Sequence, residues 1–135
     1  MLFRAFATLP LLLSLAACSS SEDPPSVACV EVNLDCKPLV SPPTFEAVYT
    51  NILKPTCAAG NGPCHNAGAG GLDMATIDVA FSSLASRVDP SNVGCSTLAK
   101  RLETKDSAYR MPPGATLSEP QLCAVRQWMA NGAAR

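Results

Sequence analysis

Cys57-Ala58-Ala59-Gly60-Asn61-Gly62-Pro63-Cys64-His65 holds two of the seven cysteines and the only histidine among 135 residues. Random placement would put a cysteine directly before that histidine only ~5% of the time. A Cys-His pair with a second thiol upstream is the arrangement of covalent c-type haem attachment. Two thiols add to two vinyl groups, and the backbone fixed at the porphyrin edge brings the adjacent imidazole onto one axial face of the iron. The usual attachment motif has two residues between its cysteines, whereas this one has six. Gly60, Gly62 and Pro63 can fold the extra residues into a bulge that keeps both sulfurs near the edge. The competing assignment is a Cys57–Cys64 disulfide with His65 satisfied locally. Cysteine parity leaves both open, because six cysteines make three disulfides or two disulfides and two thioethers. A zinc site built from Cys57, Cys64 and His65 would want a fourth ligand and free thiolates, which an oxidising compartment disfavours.

A second axial ligand is sought among Met74, Met111 and Met129. Met129 falls on the apolar stripe of a helix and reads as core. Met74, nine residues from His65, is too close to reach round to the opposite face. Met111 sits in Tyr109-Arg110-Met111-Pro112-Pro113-Gly114, a proline-braced loop with no helical stripe to explain it, and a thioether presented there suits a soft, fixed metal ligand.

The flanking segments carry helical periodicity. Phe45, Val48, Tyr49, Ile52 and Leu53 form one stripe, with Thr44 as its cap and Pro55 as its stop. Ile77, Ala80, Phe81 and Leu84 share a face of a second helix beginning near Thr76, and a third runs from about Ser96 to Leu102. The last helix is the best specified. Ser118 and Gln121 make a capping box, Pro120 lies in the first turn, and Leu117 and Leu122 have staple spacing. Leu122, Val125 and Met129 form its stripe, and Gly132 ends it. Nothing alternates with period two, so the class is all-α, with short helices and long loops.

Formal net charge is −1 for the whole chain, which argues against a nucleic-acid partner. Residues 1–17 have the form of a signal peptide. Arg4 precedes an apolar run from Ala5 to Leu15, too short to span a bilayer. The run closes in Leu15-Ala16-Ala17-Cys18, which is similar to the lipobox of bacterial lipoproteins and marks Cys18 for lipidation. Acyl chains on Cys18 would hold the protein on a membrane facing the periplasm or cell surface, and Ser19 rather than Asp after Cys18 leans towards the outer membrane. Residues 18–43, rich in Ser and Pro, read as a flexible tether, with Cys29 and Cys36 paired in a small local loop. Residues 44–135 form the domain.

From about residue 45 to 134 the chain resembles the class I monohaem cytochromes c, in particular small bacterial lipoprotein forms with lengthened cysteine spacing. The resemblance rests on the aromatic-bearing first helix leading to Cys57 and Cys64-His65, then Gly70-Gly71-Leu72-Asp73 and Val88-Asp89-Pro90. Ser96 to Leu102, Met111-Pro112 and the final Leu117-Ser118…Gln121…Trp128…Gly132-Ala133 helix complete it. It implies short helices around one covalent haem c, with Cys57 and Cys64 as thioether sites, His65 as proximal and Met111 as distal iron ligand. Cys95 and Cys123 stand where that family has ordinary residues, and a Cys95–Cys123 bridge would staple the Met111 loop at both ends.

The function expected from this reading is electron transfer by a membrane-tethered, monomeric carrier that exchanges electrons with redox partner proteins. No catalytic base or substrate pocket is readable beyond the haem ligands. The alternative is a haemless lipoprotein of the same fold, held by disulfides, with a binding or structural role.

Overall fold

The computed structural model describes residues 27–58 and 65–135. The expected signal peptide, Cys18 and Cys64 lie outside them. Among the described residues the secondary structure is helical, with no strand, as the periodicity requires.

Helix α1, Phe45–Val48, opens at Thr44, whose hydroxyl accepts the Ala47 N–H at 3.3 Å. The chain does not stop at Pro55. It widens to π-helical geometry over Tyr49–Leu53, where the Lys54 N–H reaches back five residues to the Tyr49 carbonyl, and resumes as α2, Lys54–Cys57. The widened turn leaves Pro55 in the first turn of a new α-helix, where its missing N–H removes no bond. The sequence expectation of a stop failed because it treated the proline as an interior residue. The consequence is that Cys57 ends a continuous helical run rather than beginning a loop.

Helix α3, Ile77–Ala85, is capped by Thr76 and buries Ala80 and Leu84. The turn Val93–Cys95 leads into α4, Thr97–Glu103, which buries Leu98, Ala99 and Leu102. Helix α5, Glu119–Ala130, starts with the Gln121 side chain accepting the Ser118 N–H at 2.8 Å. It ends at Gly132, whose φ of +94° is left-handed backbone open to glycine at little cost. Val125 and Met129 are buried as the stripe required, whereas Leu122 is only half-buried.

The core forms where α1 meets α5. The Phe45 ring lies 5.2 Å from that of Trp128 and 5.0 Å, edge-on, from that of Phe81, within the range where aromatic pairs add to simple burial. Arg126 is the charged exception on the inner face of α5, at 6% exposure. It grips Glu103 of α4 with two donors, Nε at 2.9 Å and Nη2 at 2.5 Å, and Glu119 with Nη1 at 2.6 Å. The Glu103 carboxylate, ahead of the opposing effect of burial, holds the guanidinium pKa above its ordinary value. Removing one member of such a pair leaves the other buried and unpaired. Arg126→Ala is therefore expected to lower the unfolding free energy by about 3–5 kcal/mol, read as a fall in the urea midpoint. A loss below about 1 kcal/mol would place this pair with exposed ones.

Residues 27–43 are not a free tether. Cys29 is bonded to Cys95 and Cys36 to Cys123, with Cα separations of 4.4 and 5.9 Å. The four expected disulfide cysteines are all engaged, but the expected pairs Cys29–Cys36 and Cys95–Cys123 are replaced by two long-range bridges. Backbone bonds follow the same path: Val30 N–H to the Gly94 carbonyl at 2.9 Å, and Leu39 N–H to the Pro120 carbonyl at 2.8 Å. Gln127 Nε2 donates to the carbonyls of Leu34 and Cys36. A Cβ on Gly94 would overlap the Val30 carbonyl oxygen, so the close approach requires glycine there. Val30, Val32 and Val40 pack against the core. The described part of the expected tether thus belongs with the domain, and the boundary near residue 43 does not mark where packing begins.

Candidate functional site

A cavity of about 240 Å³ opens between α2, the turns after it, α4 and the loop before α5. Its walls bring together Cys57, His65 and Met111, three of the four residues expected to hold the haem. Cys64, the fourth, is outside the described residues. Leu72, Leu98 and Leu102 contribute apolar lining, and Arg87, Arg101 and Tyr109 are also in the wall.

Cys57 reaches the cavity because the helical run continues past Pro55. Its Sγ lies 3.4 Å from Thr56 Oγ1, and that hydroxyl donates in turn to the Ile52 carbonyl at 2.5 Å. His65 begins a 3-10 turn, His65–Ala67. The Nδ1 of His65 lies 2.7 Å from the Ala69 carbonyl oxygen. A carbonyl only accepts, so Nδ1 carries a proton and donates, and in the neutral ring the lone pair is then on Nε2, the tautomer a metal-ligating imidazole needs. Gly68 and Gly70, at φ of +76° and +64°, flank Ala69 and turn the backbone so that this carbonyl comes back to the ring.

The same loop closes where the Met74 N–H donates to the His65 carbonyl at 2.6 Å, and the buried Tyr49 hydroxyl donates to the Met74 carbonyl at 3.0 Å. Burial first, and the Asp73 charge second, hold the Tyr49 phenol above its ordinary pKa. Met74 is 1% exposed and also lines the cavity. It stands on the loop segment bonded to His65. Met129 is fully buried in the core, away from the cavity lining.

Sequence reasoning missed Arg87, Arg101 and Tyr109. Arg87 donates to the carbonyls of Ser83 at 2.5 Å and Gly71 at 2.7 Å, and Arg101 donates to the Tyr109 carbonyl at 3.0 Å. All these acceptors are neutral, so among the described residues neither guanidinium has a carboxylate partner. Arg110 Nε, one residue before Met111, is buried and has no hydrogen-bond partner among the described residues. A buried N–H normally finds an acceptor. The signal in the sequence was faint: Arg101 lies three residues after Leu98, which puts a charge on an otherwise apolar helix face.

A soft thioether, an imidazole, a cysteine sulfur, apolar walls and two guanidiniums with no carboxylate partner among the described residues are side chains of the kind that fit an iron porphyrin with its two carboxylates. No protein-family model, curated protein or solved structure matches the chain.

Proposed function

We propose that this protein is a membrane-tethered electron carrier holding one covalent haem c in the cavity between Cys57, His65 and Met111. The observation that carries the reading is their convergence on one apolar cavity from separate parts of the chain, with the His65 tautomer set by the Ala69 carbonyl. When bound, the haem supplies a one-electron iron couple.

The chain's own residues supply everything around it. Cys57, with Cys64, provides the two thiols for attachment. The His65 Nδ1–H bond to Ala69 holds the ring plane and raises the basicity of Nε2. Met111 presents its sulfur from a braced loop and, with His65, would hold the iron. Leu72, Leu98 and Leu102 keep water from the site, which bears on the reduction potential through the local dielectric. Arg87 and Arg101 offer half-buried positive charge to carboxylates. Towards the membrane, Cys29 is the first crosslinked residue. Only ten residues separate it from Cys18, so a lipid there would keep the domain within about 40 Å of the bilayer surface.

Protein purified from its own host tests the reading. The denatured chain is expected to weigh one haem more than the processed, lipidated polypeptide, and the reduced protein to show the sharp visible bands of a low-spin c-type haem. A colourless protein with Cys57 and Cys64 joined in a disulfide would overturn it and leave a disulfide-held binding or structural lipoprotein.

A further inference from the structure

The Tyr109–Met111 stretch of the loop before α5 is hydrogen-bonded to α4 through one residue. The Met111 N–H donates to the Arg101 carbonyl at 2.7 Å. The Arg101 guanidinium donates from Nη1 to the Tyr109 carbonyl at 3.0 Å, and its central carbon sits 3.7 Å from the centre of the Tyr109 ring. Arg101 therefore holds the chain on both sides of Arg110. Its own position is secured by its neighbours on α4, Leu98, Ala99 and Leu102, all buried in the core. Arg101, Tyr109 and Met111 all face the same cavity.

We propose that Arg101 is a positioning residue, a latch that sets where the Met111 sulfur stands and resists its displacement. The inference rests on Met111 being the distal ligand of the proposed haem. Three contacts from one residue restrain a loop that has no helix of its own between Glu103 and Glu119. The stacked guanidinium also shields its hydrogen bond to Tyr109 from water, which strengthens both contacts. A thioether is a weak ligand, so its occupancy depends on how little freedom the loop has when the sulfur lets go. The latch lowers that freedom without touching the metal.

Arg101→Gln and Arg101→Lys test the latch, and Lys100→Gln is the control, because it removes the neighbouring positive charge of α4 from a residue outside the cavity lining. Two measurements are made on full-length protein from its own host. In the first, amide hydrogen exchange across residues 109–111 is expected to quicken roughly tenfold or more in Arg101→Gln. Exchange in α5 should stay unchanged, which shows that the fold persists. Arg101→Lys retains the stacked cation and should recover part of the protection, while Lys100→Gln should exchange as the wild type.

In the second, added imidazole is expected to displace the sulfur at a roughly tenfold lower concentration in Arg101→Gln than in wild type or Lys100→Gln. Wild-type exchange in Arg101→Gln, or equal imidazole affinity in the two glutamine variants, would overturn the latch even if the protein carries haem. A colourless preparation would instead overturn the haem reading, and with it Met111 ligation, whereas the exchange measurement would still decide whether Arg101 restrains the loop.

Discussion

Replacing Cys36 and Cys123 together by alanine is expected to lower the unfolding free energy by about 4 kcal/mol. The bridge joins residues 87 apart in sequence, but the Cys29–Cys95 bridge offers a shorter route between them. With that route the closed loop is about 35 residues, which the chain-entropy relation converts to just under 4 kcal/mol. Alanine suits both positions because Cys123 is fully buried, and a serine hydroxyl there would add an unsatisfied polar group. For a domain of this size the loss corresponds to a melting temperature lower by about 15 °C or more. A drop below about 1 kcal/mol would show that the bridge constrains little. Peptide mapping without reduction checks the connectivity itself, and a linked Cys29–Cys36 peptide would contradict the arrangement described here.

Substitution of the two proposed axial ligands has the largest expected effect on the site, and the two are not equivalent. His65→Ala removes the nitrogen whose tautomer Ala69 sets, so the low-spin spectrum is expected to disappear even where the thioethers have formed. Met111→Ala should keep the covalent haem and the His65 bond while opening the other side. External ligands then bind, and the potential falls on the order of 100 mV, well within the ~0.8 V that axial ligands span. Optical titration with imidazole and a redox titration read both effects. Equal behaviour of the two variants, or a Met111→Ala spectrum identical to wild type, would remove Met111 from the ligand set. In that case Met74, the other thioether in the cavity wall, would be the residue to replace next.

Much of the local structure was readable because the relevant forces act within one or two turns. Thr44 and Thr76 cap the helices they precede, Gln121 reaches back to Ser118, and the apolar stripes of α3, α4 and α5 face the core, with Ile77, Phe81 and Leu122 only partly buried. Pro55 misled because proline excludes only certain hydrogen-bond registers, and a π-turn supplies another. Arg87 and Arg101 were invisible as site residues because a surface arginine and a cavity arginine look alike until the opposing wall is known.

Taken alone, the sequence determined the helical class, the helix ends set by caps and glycine, and the placing of the single histidine directly after a cysteine. These depend on residue type and on separations of a few positions, where geometry follows from the chain itself. Tertiary structure alone decided which cysteines pair and whether residues 27–43 are free. Four cysteines allow three pairings, and loop-closure entropy in the unfolded chain favours the local Cys29–Cys36 pair. In the folded chain the bond forms where Cα atoms come within reach, and α5 and the Val93–Cys95 turn present Cys123 and Cys95 to the N-terminal segment. Long-range packing, which no local pattern records, placed them there.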